Sequence, residues 1–330
     1  MKYRLLTTLF LLFQLFLNTY GQVKIIFDTD LGGDADDLGA LAMLNHFIDR
    51  NECELLAVMC WSTEQYAVEA IDAVNRFYNH HEIPVGVRKG EKYFDPNCYS
   101  KPIAEKFTHL VTFESAADAT QLYRKILANS SNKSIKIVAV GPLKNIENLL
   151  KSGPDKFSPL NGLELIKKKV KEFVIMGGQF PEGKNEWNFN GDMPGVTKYV
   201  IPNIPVPIIF SGFELGSAIK TGEVFNDLDM NTPLYVGFMH FSEFAPWMKD
   251  LYVPGRISKN STFDQTAVLY AVRKGTGLYW DEVKNGICVP DDKGGNTWIK
   301  QKKSTHSYLK LKLDPELMAN EMENFMLGQF

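Results

Sequence analysis

Five carboxylates crowd into ten residues directly behind a short β-rich run, and nothing else in the chain constrains it as strongly. The run is Val-Lys-Ile-Ile-Phe at 23–27. The segment behind it reads Asp28-Thr-Asp30-Leu-Gly32-Gly33-Asp34-Ala-Asp36-Asp37. Like charges at that density repel, unless a cation neutralises them or protons are taken up. A solvated acidic loop with helix-capping aspartates is the plain alternative, but a loop that follows a buried strand is not a surface turn. Hard divalent cations prefer carboxylate and carbonyl oxygens. The cluster holds no His or Cys, so calcium or magnesium is preferred over zinc.

The rest of the chain decides where that loop sits. Strand-like runs at 54–60, 84–87, 135–140, 171–176, 206–210 and 306–313 follow the first one. Helical spacing appears between them at 38–48, 66–78, 116–128, 143–150 and 263–274. Asp314-Pro315 caps a last helix running through 326. This alternation predicts an α/β fold: a Rossmann-like, mostly parallel central sheet with flanking helices. Ligands on such sheets bind beyond the carboxyl ends of the strands. The residues that stop the strands should therefore share one rim: 28–37, 61–64, 140–141, 177–188 and 211–214.

Of the 330 residues 45% are hydrophobic, enough for a large core. No linker or repeat divides them, so 22–330 reads as one domain. Lys2 and Arg4, the apolar run 5–17 and Asn18-Thr-Tyr-Gly21 have the layout of a signal peptide over 1–21. The run is short for a membrane span. No Cys follows it to carry a lipid. An exported protein, periplasmic or secreted, is expected, with no membrane insertion after cleavage. Losing Lys2 and Arg4 takes the net charge from −3 to −5, which argues against a nucleic-acid partner. Cys53, Cys60, Cys98 and Cys288 form no Cys-x-x-Cys. A thiolate zinc site is thereby disfavoured, while disulfides are permitted but not demanded.

Three site types can be laid over the aspartate loop. An EF-hand counted from Asp28 needs Glu at its twelfth position and finds Gly39. A haloacid-dehalogenase-like phosphatase shares Asp-x-Asp after a first strand, but wants Thr or Val where Gly32 stands. The third fits best. Asp28-Thr-Asp30, Gly32 and Asp36-Asp37, opening an apolar helix, resemble the N-terminal signature of the nucleoside hydrolase family, with Leu31 for its Pro and two extra residues before the Asp pair. Asp34 is the competing alignment. Val140-Gly-Pro-Leu-Lys-Asn145, Met176-Gly177-Gly178, Glu186-Trp187-Asn188 and Phe263-Asp264 are similar to later motifs of that family, in the same order.

The resemblance implies hydrolysis of a ribonucleoside N-glycosidic bond with Ca2+. Asp30 would be base and metal ligand, with Asp37, Asp264 and the Val140 carbonyl as further ligands. Asp36 would bond a ribose hydroxyl, and Glu186 and Asn188 would hold the outer hydroxyls. Asp28 would brace the loop, and Asp34 receives no role. Trp61, Trp187 and Phe263 stand on the substrate side, where a ring either stacks on a base or packs. From the residues alone Asp264 reads equally as a helix cap, and Glu186 and Asn188 as loop polars.

This sequence also departs from the family. Phe263 replaces a His found in some members before the late Asp. No Asn follows the second strand, and Gln179 stands where an Asn is expected. The implied partner is a small nucleoside or sugar, and the implied assembly a homodimer or homotetramer. Two other readings are a metal-dependent sugar- or nucleoside-binding protein with little turnover, and the phosphatase.

Overall fold

The computed structural model describes residues 22–330. The signal peptide read at 1–21 lies outside them. An 11-stranded sheet runs in the order β4-β3-β2-β1-β5-β6-β8-β13-β11-β12-β7. Its strands are β1 (Val23–Thr29), β2 (Cys53–Cys60), β3 (Val85–Val87), β4 (Ala117–Asp118), β5 (Ile135–Ala139), β6 (Val170–Met176), β7 (Glu182–Gly183), β8 (Ile208–Ser211), β11 (Trp280–Pro290), β12 (Asn296–Lys300) and β13 (His306–Leu311). A separate two-stranded ribbon pairs β9 (Lys220–Thr221) with β10 (Asn260–Ser261).

Pairing is parallel from β4 through to β13. It turns antiparallel from β13 through β11 and β12 to β7. The expected mostly parallel α/β sheet is therefore present. The hairpin of β11 and β12 was not read from the sequence, nor were the helices Ser100–Lys106, Gly162–Lys169, Val196–Asn203 and Pro233–Phe244. In β11 only Trp280, Gly286, Cys288 and Pro290 are buried, so no continuous apolar run marks it.

Strand residues alternate between two cores, because successive side chains leave a strand on opposite faces. Ile25, Phe27 and Val58 pack on one face with the helices Asp36–Asp49 and Asp264–Arg273. Ile26, Ala57, Met59 and Ile137 pack on the other with the helices Ala119–Asn129 and Lys144–Lys151. Both faces of the sheet are covered, which is why its central strands are almost wholly apolar.

One buried ion pair fixes the distal end of the helix that carries Asp264. Lys136, on β5, lies 2.9 Å from Glu172 on β6 and donates a 2.6 Å hydrogen bond to the carbonyl of Ala271. Lys136 and Glu172 are 4% and 8% exposed, so neither is solvated if the other is lost. Glu172→Gln is expected to cost about 3 kcal/mol of stability, since it strands a buried charge. Urea unfolding of the variant checks this; a change below about 1 kcal/mol would remove the pair from this role.

Candidate active site

The aspartate loop leaves β1 at the carboxyl edge of the sheet, where β5, β6 and β8 also end. Asp28 sits beneath it, 3% exposed. Tyr123 Oη donates to its carboxylate at 2.7 Å, and Asn145 Nδ2 at 3.0 Å. Burial raises the Asp28 carboxyl to about 7 against the lowering effect of these two donors. Asp28 does not line the cavity above, which leaves it no access as a phosphatase nucleophile.

Asp36 and Asp37 open the helix Asp36–Asp49, where acidic residues interact favourably with the helix dipole. Asp264 opens the helix Asp264–Arg273. It does not cap that helix: Phe263 is the cap residue, and its side chain accepts nothing from the first turn. Instead Asp264 faces the loop. Carboxylate oxygens of Asp36, Asp37 and Asp264 lie within 4.8 Å of one another, all three residues buried. The backbone N–H of Asp264 donates to Asp36 at 3.3 Å, and the Thr29 hydroxyl donates to Asp37. Burial first, then the charges of neighbouring aspartates, holds two carboxyls well above the usual range: Asp34 and Asp37 act on Asp36, and Asp36 and Asp37 on Asp264; burial and the charge of Asp30 do the same to Asp37.

The trio takes in Asp36, whereas the resemblance puts Asp30 on the metal and Asp36 on the sugar. Asp30 stands beside the trio and accepts a 3.0 Å hydrogen bond from the indole N–H of Trp187. Burial raises its carboxyl to about 6. Asp34, left without a role by the sequence, accepts from Asn260 Nδ2 and from the backbone N–H of Asp36. It ties the loop to β10.

The remaining predicted positions gather around the same cavity of about 770 Å³. The Val140 carbonyl accepts from Asn188 Nδ2 at 2.8 Å. Glu186 accepts three backbone N–H groups, from Gly178, Asn188 and Phe189, and so caps the short helix Trp187–Asn190. Burial still raises its carboxyl to about 7. Trp61 is 8% exposed and Trp187 52% exposed. Phe263 stacks on Phe213 with ring centroids 5.0 Å apart.

Sequence reasoning missed Tyr93, Asp95, Cys98, Phe213 and Trp247, which also line the cavity. Phe213 lay inside a segment already read as rim. The others come from stretches without periodicity or motif. The four cysteines are free and buried.

Gly141 shows how tightly the turn after β5 approaches Asp30. A Cβ there would sit 2.8 Å from Asp30 Oδ1 and 2.9 Å from Asp30 N. Gly141→Ala must push Asp30 aside, and at the reacting position that the resemblance gives Asp30, a displacement of that size costs roughly tenfold to a hundredfold in rate. A loss of that order in kcat/KM, with the melting temperature changed by only about 3 °C or less, is the expected result.

The arrangement offers an oxygen-only cluster at the bottom of an aromatic-walled cavity, beside a carboxylate able to take a proton. The sequence profile of a family described as inosine-uridine preferring nucleoside hydrolase matches residues 25–317. The fold is similar to that of a plant nucleoside hydrolase, PpNRh1, at 17% identity and TM-score 0.67, covering 92% of this chain and 98% of that one. It is similar to a purine-preferring ribonucleoside hydrolase from Gardnerella vaginalis at 15% identity and TM-score 0.65, covering 93% and 97%. A third similar structure, an inosine-guanosine nucleoside hydrolase, gives 15% identity and TM-score 0.64, covering 92% and 98%. No protein of curated function matches the sequence.

Proposed function

Since the chain belongs to the inosine-uridine preferring nucleoside hydrolase family, and so to the enzymes that hydrolyse N-glycosyl bonds, we propose that it is an exported, calcium-dependent enzyme that cleaves a ribonucleoside or a related glycoside to free sugar and base. The observation that carries this reading is the meeting of Asp264 with Asp36 and Asp37 beside Asp30. Buried carboxylates that raise one another's pKa fit a hard divalent cation, and an oxygen-only set fits calcium better than zinc.

Asp30, Asp37, Asp264 and the Val140 carbonyl would hold the ion, with Asp36 close enough to share it. Calcium held there would supply a charge to anchor the vicinal sugar hydroxyls and to ease loss of a proton from the attacking water. Asp30 takes that proton. The C1′–N bond breaks as positive charge grows on the sugar, and the surrounding carboxylates stabilise that charge. Asp36, Glu186 and Asn188 orient the ribose hydroxyls. Trp61, Trp187 and Phe263 form the wall against the leaving base.

The test is a nucleoside panel incubated with purified protein, with and without calcium, and assayed for free ribose. Ribose that appears only with the metal supports the proposal. Saturable binding without ribose release would replace it with a binding role. Export is checked separately: the mature chain should begin at Gln22. Light scattering should find the homodimer or homotetramer.

A further inference from the structure

The cavity's charge is one-sided. Seven of its lining residues carry carboxylates, and among the described residues that line it none is Lys, Arg or His. Arg88 packs on Trp61, its guanidinium carbon 5.0 Å from the ring centroid, but lies outside the lining. A bound divalent cation would leave the pocket negative. Six aromatic residues line the same space, and Trp61, Tyr93, Phe213, Trp247 and Phe263 belong to segments far apart in the chain. An acidic, aromatic pocket favours a flat cation, through both Coulomb attraction and ring quadrupoles. It disfavours a phosphate.

The cavity is also poor in proton donors for a leaving base. Phe263, beside Asp264, stacks on Phe213 and offers no proton. Both oxygens of Glu186 accept backbone N–H groups. The Tyr93 hydroxyl is paired with Ser62 Oγ at 3.2 Å, and burial pushes the phenol to about 12. Burial likewise pushes the Cys98 thiol to about 12. A neutral nucleoside loses its base as an anion unless an acid protonates it. A riboside of a quaternised heterocycle does not have this difficulty.

We infer that the preferred substrates are ribosides whose leaving group is a cationic heteroaromatic ring, joined to C1′ through its positively charged nitrogen. This rests on the hydrolase reading above and narrows it. In the step, the water oxygen bonds to C1′ while one of its protons passes to Asp30. The C1′–N electron pair goes to the ring nitrogen and cancels its positive charge. Ribose and a neutral base result, and the base needs no proton.

The experiment compares kcat/KM of the calcium-loaded mature chain for nicotinamide riboside, inosine, uridine and nicotinamide mononucleotide. The cationic riboside is expected to exceed inosine and uridine by about a hundredfold, the lower end of what a general acid contributes. The mononucleotide, carrying a phosphate, is expected at least about tenfold below the riboside. Phe263→His should raise the inosine-to-riboside ratio of kcat/KM. Inosine or uridine turned over as fast as the riboside would overturn the inference and leave the hydrolase reading standing, as would equal hydrolysis of the mononucleotide. Ribose from none of the four would overturn both.

Discussion

Asp30→Asn is expected to lower kcat for ribose release by about a thousandfold, the middle of the range for removing a general base. KM should change only severalfold. The substitution keeps the shape of the side chain and a carbonyl oxygen that can still accept from Trp187 at this position. It removes the lone pair basic enough to take a proton from water, and with it the ligand charge Asp30 would offer calcium, so the variant is assayed at saturating metal. In the metal-free protein burial raises Asp30 to about 6, above an ordinary carboxylate yet still mostly ionised at neutral pH. Asp36→Asn is the informative partner, because Asp36 and not Asp30 belongs to the tightest carboxylate trio. If Asp36→Asn loses the thousandfold and Asp30→Asn loses less than about tenfold, the base is Asp36 and the assignment by resemblance is wrong. Circular dichroism and melting curves on both variants separate catalysis from folding.

The uneven legibility of the sequence has physical causes. Strands β1, β2, β5 and β6 were readable because both faces of a parallel sheet are buried, so each strand is a mostly apolar run with a charged residue near its start. The ends of β1, β5 and β6 were readable because Asp28, Gly141-Pro142 and Gly177-Gly178 interrupt those runs. The hairpin Trp280–Pro290 with Asn296–Lys300 escaped because it has an exposed face and pairs at the sheet's edge.

At the site, Asp264 could be brought to the aspartate loop only through resemblance, since 228 positions separate it from Asp36. Unaided, it read equally as a helix cap, and the structure shows that it caps nothing. Asp34 illustrates the reverse. It looked like a member of the cluster, and its partner Asn260 lies on a two-residue strand with no sequence signal. Trp247 was equally silent: it is a 58% exposed residue in a 3-10 turn, brought over the cavity by tertiary packing alone.

The metal-free protein is expected to lose stability as pH rises, opposite to the usual behaviour of a protein held together by ionised carboxylates. Asp28 and Glu186 are raised to about 7 and Asp30 to about 6, while Asp36, Asp37 and Asp264 lie well above their ordinary value. In each case burial is the largest cause. A carboxyl whose folded pKa lies above its unfolded value binds its proton more tightly in the folded state. Its stabilising contribution is therefore complete below about pH 4, where both states are protonated, and is lost as pH rises through the folded value. A tenfold difference in proton affinity between the folded and unfolded chain corresponds to about 1.4 kcal/mol, so even partial ionisation of this cluster is a large fraction of total stability. After chelation, the melting temperature should fall by on the order of ten degrees between pH 5 and pH 8. Calcium reverses the sign of the problem, because its ligands must be deprotonated to bind it. Saturating calcium should raise the melting temperature far more at pH 8 than at pH 5, by mass action on the folded state alone. Magnesium, which resists dehydration and demands octahedral geometry, should restore less. A chelated protein whose melting temperature is flat or rises over this range would mean that the carboxylate cluster carries no electrostatic strain, and it would then have no need of a resident cation.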